Sequence, residues 1–95
     1  MSKSLIPKLE AIKQRYNEVA DLIIQPDVIS DQKRYSSLNK EYSDLGKIVK
    51  VYDQYKAALD TIEESDEIIA DGSDRDLVDL AKMEKLEAQE KIPGI

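Results

Sequence analysis

The sequence predicts an all-α fold: an elongated antiparallel helical bundle, coiled-coil-like, of about three helices spanning roughly residues 4–24, 30–71 and 74–91. Three observations predict it. Apolar residues recur in alternating steps of three and four over most of the chain, one stripe on a helix. Only three Gly and three Pro occur, too few for a loop-rich β-sandwich, and all but Gly46 fall near expected helix ends. The 95 residues form a single helical domain with one modest core, and 36% of them are charged.

The first helix carries Leu5, Leu9, Ile12, Tyr16, Val19 and Ile23 at spacings of 4-3-4-3-4. Lys8, Lys13, Arg15 and Glu18 fall off that stripe and are expected in solvent. Pro7 suits a first turn, where its missing N–H costs nothing. Pro26 disfavours helix at Gln25 and ends the segment, so Gln25-Pro26-Asp27 reads as a turn. The second helix starts near Ser30-Asp31, either of which can accept from the unpaired N–H groups of its first turn. Its stripe is Tyr35, Leu38, Tyr42, Leu45, Val49 and Tyr52, followed after a register slip by Tyr55, Leu59, Ile62, Ile68 and Ile69. Two steps of three in succession resemble a stammer, which rotates the apolar face, with a bend expected near residues 52–56. Gly72 suits the left-handed position past a helix end, and Ser73 or Asp74 can cap the third helix. That helix carries Leu77, Leu80, Ala81, Met83, Leu86 and Ala88 before the stop at Pro93-Gly94.

At 1.5 Å per residue the helices measure roughly 30, 60 and 27 Å. The two short ones together match the long one. The first should cover the front half of the central helix and the third its back half, with the partner changing near Tyr52.

Composition excludes several chemistries. With no Cys and no His there is no disulfide framework, thiolate metal site, cysteine nucleophile or Ser-His-Asp triad. Gly46, Gly72 and Gly94 are too dispersed for a phosphate loop. No cofactor and no metal are expected. Asp71–Asp76 faintly resembles a calcium loop, but Arg75, Asp76 and Lys82 stand at positions five, six and twelve, so a capped helix–helix turn is the better reading. A small helical enzyme would need Arg and Lys in an anion pocket. Here Arg15, Arg34 and Arg75 lie off the stripes, so no small-molecule substrate is expected.

Charge is unevenly placed. Residues 1–59 carry ten basic and eight acidic side chains, whereas residues 60–79 carry one basic and nine acidic, net −8. Glu63, Glu64, Asp66, Glu67 and Asp71 are therefore candidate docking residues for a basic protein, because a localised field steers association. Lys33, Lys40 and Lys47, seven residues apart, read either as an RNA-phosphate row or as a coiled-coil flank whose stems cover the core edge. Tyr35, Tyr42 and Tyr52 read as core-edge groups with hydroxyls reaching water. No stretch resembles a signal peptide or a membrane span, so a cytoplasmic protein with no membrane partner is expected.

Residues 25–45 carry a family resemblance. Gln25-Pro26-Asp27-Val28-Ile29-Ser30-Asp31-Gln32-Lys33-Arg34-Tyr35, then Leu38-Asn39-Lys40-Glu41-Tyr42 and Leu45, resemble the amino-terminal helical domain of bacterial peptide chain release factor 1, a class I translation release factor. Leu9–Ile12, Tyr16–Val19 and, more loosely, Glu63-Glu64 and Ala81–Glu84 fit as well. The Phe-Trp pair typical of release factor 2 is absent. The resemblance implies a factor that terminates translation at UAA and UAG on the ribosome. Neither the Gly-Gly-Gln tripeptide of hydrolysis nor the Pro-x-Thr codon reader occurs, so no catalytic residue carries over. The chain looks like the first domain of a longer protein, non-catalytic by itself. The implied partners are the ribosomal stalk base and the methyltransferase that modifies the Gly-Gly-Gln glutamine of the full-length protein. The alternative is a free-standing helical adaptor unrelated to translation.

Overall fold

The structure is a computed structural model and describes residues 5–95. Among these residues there is no strand. The elements are α1 (Ile6–Leu22), α2 (Pro26–Ile29), α3 (Gln32–Asp71), α4 (Arg75–Lys91) and a closing 3-10 turn at Ile92–Gly94. The all-α class and the long central helix are as expected. The expected start of the first helix at residue 4 lies outside the described residues.

Backbone chemistry accounts for each boundary. Pro7 lies in the first turn of α1, where the first N–H groups have no intrahelical partner. The helix ends at Leu22, two residues sooner than expected, with the Ile23 N–H on the Val19 carbonyl. Gln25, ahead of Pro26, is extended at ψ 133°. The expected turn at Gln25–Asp27 is instead the entrance to a helix. Pro26 has a fixed φ suited to a first helical position, and the Gln25 carbonyl accepts from the Val28 and Ile29 N–H groups. This short α2 places Val28 in the core, 1% exposed.

Asp31 precedes α3, its Oδ1 accepting from the Arg34 N–H at 3.2 Å and its carbonyl from Tyr35. The helix then runs unbroken through residues 52–56. The stammer is therefore a change of buried face within one continuous helix. Gly72, at φ 63°, turns the chain, and Asp74 caps α4 by accepting from Asp76 and Leu77.

The chain divides into two compact units, one ending at Tyr52 and the other covering Asp53–Ile95. The core of the first is Val19, Val28 and Leu38, with Leu22, Ile23, Tyr35 and Tyr42 packed around it. Here α1 runs antiparallel to the front half of α3. Tyr16 and Tyr42 stack at 4.6 Å and share a hydroxyl–hydroxyl bond of 3.0 Å, and Arg15 reaches Glu41. Gly46 makes room for this stack, since a Cβ there would stand 3.3 Å from Tyr16 Cε1. Tyr52 is fully buried and donates to Glu10 Oε1 at 2.5 Å. The hydroxyls of Tyr16, Tyr42 and Tyr52 thus meet protein partners. Sequence reading had those of Tyr42 and Tyr52 reaching water.

The second unit is built on small residues. Ala58 and Ser65 of α3 and Ala81 and Ala88 of α4 are buried, each pair seven residues apart. The expected stripe of α4 is corrected accordingly. Ala81 and Ala88 face inward, while Leu77, Leu80, Met83 and Leu86 are exposed. Ile68 is also partly exposed, at 38%, and its neighbour Ile69 is half-buried. A heptad of small residues lets two backbones approach, and a Leu at those positions would hold them apart.

Candidate functional site

The candidate docking surface comprises the C-terminal turns of α3, the turn at residues 72–74 and the first turns of α4. In a helix, neighbours on a face are three or four residues apart. Glu63, Glu67 and Asp71 therefore share one face of α3, and Glu64 lies beside them. All four are exposed, as is Asp66. Asp66 points toward α4 and pairs with Lys85 Nζ at 2.6 Å. It is a structural link between the two helices. Asp71 accepts from the Ser73 hydroxyl and, at 3.4 Å, from the Ser73 N–H. Asp74 Oδ1 takes the Asp76 and Leu77 N–H groups at 3.0 and 3.3 Å.

These bonds decide what the turn does. Asp71 and Asp74 direct their carboxylates to local donors, as a capped helix–helix turn requires. Among the described residues no group of three or more metal-ligating side chains could hold an ion. General acid–base work by a carboxyl pair needs partial burial to separate the two pKa values. Glu63, Glu64, Glu67 and Asp71 are in water, so what they supply is a field, one that attracts a basic surface at long range.

Other polar features are structural. The two forks of Arg15 and Glu41 meet, Nε to Oε2 at 2.7 Å and Nη2 to Oε1 at 2.9 Å, with Glu18 3.7 Å from Nη1. The Arg15 hydrogen bond holds the Glu41 carboxyl below the ordinary carboxylate range, and the Glu41 bond raises the Arg15 guanidinium. Sequence reading placed Arg15 in solvent. It joins α1 to α3 because a guanidinium, unlike an ammonium, matches a carboxylate in two bonds. Arg34 lies 3.9 Å from Asp27. Lys33, Lys40 and Lys47 are exposed on α3.

A groove of about 510 Å³ opens between α3 and α4 near the end of the second unit, with Ala57, Ala58, Thr61, Ala88 and Ile95 along it. Its rim holds Glu84, Glu87 and a single cation, Lys91, which does not make an anion site. Sequence reasoning missed the small-residue seam and the apolar row it turns outward. The seven-residue spacing of Ala58 and Ser65, and of Ala81 and Ala88, was the available signal.

Comparison with known proteins supplies the family. Residues 12–95 match the model of the PCRF domain. The chain is 53% identical over 91 residues to peptide chain release factor 1 of Flavobacterium psychrophilum, covering 96% of this chain and 26% of that protein. It is 52% identical over 80 residues to peptide chain release factor 1 of Cytophaga hutchinsonii, covering 84% and 22%. Against peptide chain release factor 1 of Clostridioides difficile the identity is 44% over 88 residues, covering 93% and 25%. The chain thus spans about a quarter of the length of these curated relatives. No solved structure matches it.

Proposed function

The chain belongs to the PCRF domain family, and from that premise we propose that it is the amino-terminal helical domain of a release factor that terminates translation at UAA and UAG codons. It acts in the cytoplasm as a module that contacts the ribosome and performs no chemistry of its own. The observation that carries this reading is the identity of 53% over 96% of the chain to a peptide chain release factor 1. The absence of His and Cys from the sequence is in keeping with a role in binding, because both are common in nucleophilic and proton-transfer sites.

The surface that makes contact is the acidic stretch of residues 60–79, with Glu63, Glu64, Glu67 and Asp71 facing a basic protein. At the ribosome that protein belongs to the stalk base, and off the ribosome it is the glutamine methyltransferase of release factors. Solvent-exposed carboxylates concentrated in one stretch support this assignment, since phosphate would be repelled there and Lys or Arg attracted.

The test is binding of the 95-residue chain to bacterial ribosomes and, separately, to the methyltransferase, at several salt concentrations. Replacing Glu63, Glu64, Glu67 and Asp71 by Lys should weaken both by about tenfold or more and flatten the salt dependence. Asp66 is left intact because its ion pair with Lys85 joins the helices. Unchanged affinity and salt slope would refute the docking assignment. A chain that binds neither partner would refute the termination reading as a whole.

A further inference from the structure

Leu77, Leu80 and Met83 of α4 are 52%, 52% and 69% exposed at steps of three residues: Leu77 stands over α3 on the face of the buried Ala81, and Leu80 and Met83 turn progressively away from it. Single exposed apolar residues are ordinary, but a contiguous row marks an interaction surface. The row does not stand alone. Leu77 shares a depression of about 270 Å³ with Ile68 of α3, and Glu67, Asp71 and Asp74 stand around it. An apolar floor therefore lies inside a ring of carboxylates with no cation among its lining residues.

Charge selects the occupant. A second copy of the chain carries a net charge of −6, which disfavours its approach to an acidic surface at long range. A neutral apolar segment would take the floor but partly desolvate the surrounding carboxylates with no cation opposite them. We propose that the surface formed by Ile68, Leu77 and Leu80 docks a basic amphipathic segment of another protein. One large apolar side chain of that segment enters the depression between α3 and α4, and flanking Lys or Arg side chains meet Glu67, Asp71 and Asp74. This rests on the docking reading above and specifies the partner's chemistry: a basic charge alone is not sufficient, and an apolar residue must stand between the cations.

The experiment uses the 95-residue chain and two synthetic peptides of equal charge. One is a tandem repeat of Leu-Lys-Lys-Leu-Leu-Lys-Leu, and the other has Ser at every Leu. The chain should bind the Leu peptide about tenfold more tightly than the Ser peptide, a difference of about 1.4 kcal/mol. The double substitution Leu77→Ser with Leu80→Ser should reduce that preference to about twofold or less. Both positions are more than half exposed, so the helical circular dichroism should be unchanged. Ile24→Ser, at an exposed apolar site in the first unit, should leave the preference intact. A preference that survives the Leu77/Leu80 substitution would overturn the proposal. So would self-association of the chain that this substitution abolishes, which would make a second copy the occupant. If the Lys variant of Glu63, Glu64, Glu67 and Asp71 weakens both peptides while the Leu77/Leu80 variant changes nothing, the apolar seat fails and the electrostatic docking reading stands. If neither variant has an effect, both fail.

Discussion

Glu41 shows how one ion pair makes stability depend on pH. Its carboxyl accepts both arms of the Arg15 fork, which favours the charged form and lowers its pKa in the folded chain. A group whose pKa is depressed by folding stabilises the fold above its unfolded pKa, about 4.3 for Glu, and loses that contribution as pH falls through the folded value. The raised pKa of Arg15 acts only at strongly alkaline pH. The melting temperature of the native chain should therefore exceed that of Glu41→Gln at neutral pH, and the gap should shrink below about pH 4. A gap that is constant across an acid titration would show that the pair contributes shape and no charge-dependent stability. Neighbouring residues complete this contact: the Tyr16–Tyr42 stack sits against Gly46, and Tyr52 holds Glu10. Gly46, the one Gly that sequence reading leaves inside a helix, is what lets the Tyr16 ring approach.

Among the elements, α4 departs furthest from its sequence pattern. Its Leu and Met side chains outnumber its inward groups, yet Ala81 and Ala88 are the buried ones. Facing them, Ala58 and Ser65 of α3 repeat the same spacing. Filling such a seam forces the helices apart, so Ala81→Leu should destabilise the chain by about 1–3 kcal/mol. Leu80→Ala, on the open face, should change stability by about 0.5 kcal/mol or less. Chemical denaturation of the two variants checks the order, and a larger loss for Leu80→Ala would put the wrong face of α4 inside. The short helix α2, absent from the sequence reading, follows a different logic. A Pro-led turn of four residues has no room for periodicity, and only the tight burial of Val28 reveals that it belongs to the core.

For the whole molecule, the deciding property is where its charge lies. The net −6 of the chain resolves into a near-neutral majority and a stretch of net −8 at residues 60–79. Asp66 has a cation in Lys85, while Glu63, Glu64 and Glu67 are exposed on the same turns. Like charges held on one helix repel, and added salt screens them over a distance of about 10 Å at 0.1 M. The melting temperature should therefore rise as sodium chloride is raised from about 10 mM to about 150 mM. A fall would mean that attractive pairs such as Arg15–Glu41 outweigh the repulsion. Among the described residues no helix is long and apolar enough to cross a membrane.

The heptad spacing of α1 and the front half of α3, the capping pairs Ser30-Asp31 and Ser73-Asp74 from which the structure takes the Asp, the left-handed Gly72 and the acidic stretch were all legible in the order of residues alone. Each is a local matter: a period of 3.6 residues, a side chain reaching the next turn, a φ that only Gly adopts freely, a count of charges. Tertiary structure alone decided which side of α4 is inside, that Arg15 pairs with Glu41, and that α3 passes through its register slip without a break. Those outcomes depend on what a neighbouring helix presents. A small side chain is buried when its partner is small too, and a charged one is held when a matching fork lies 26 residues away. No window along a single helix contains that information, because burial is a property of two surfaces together.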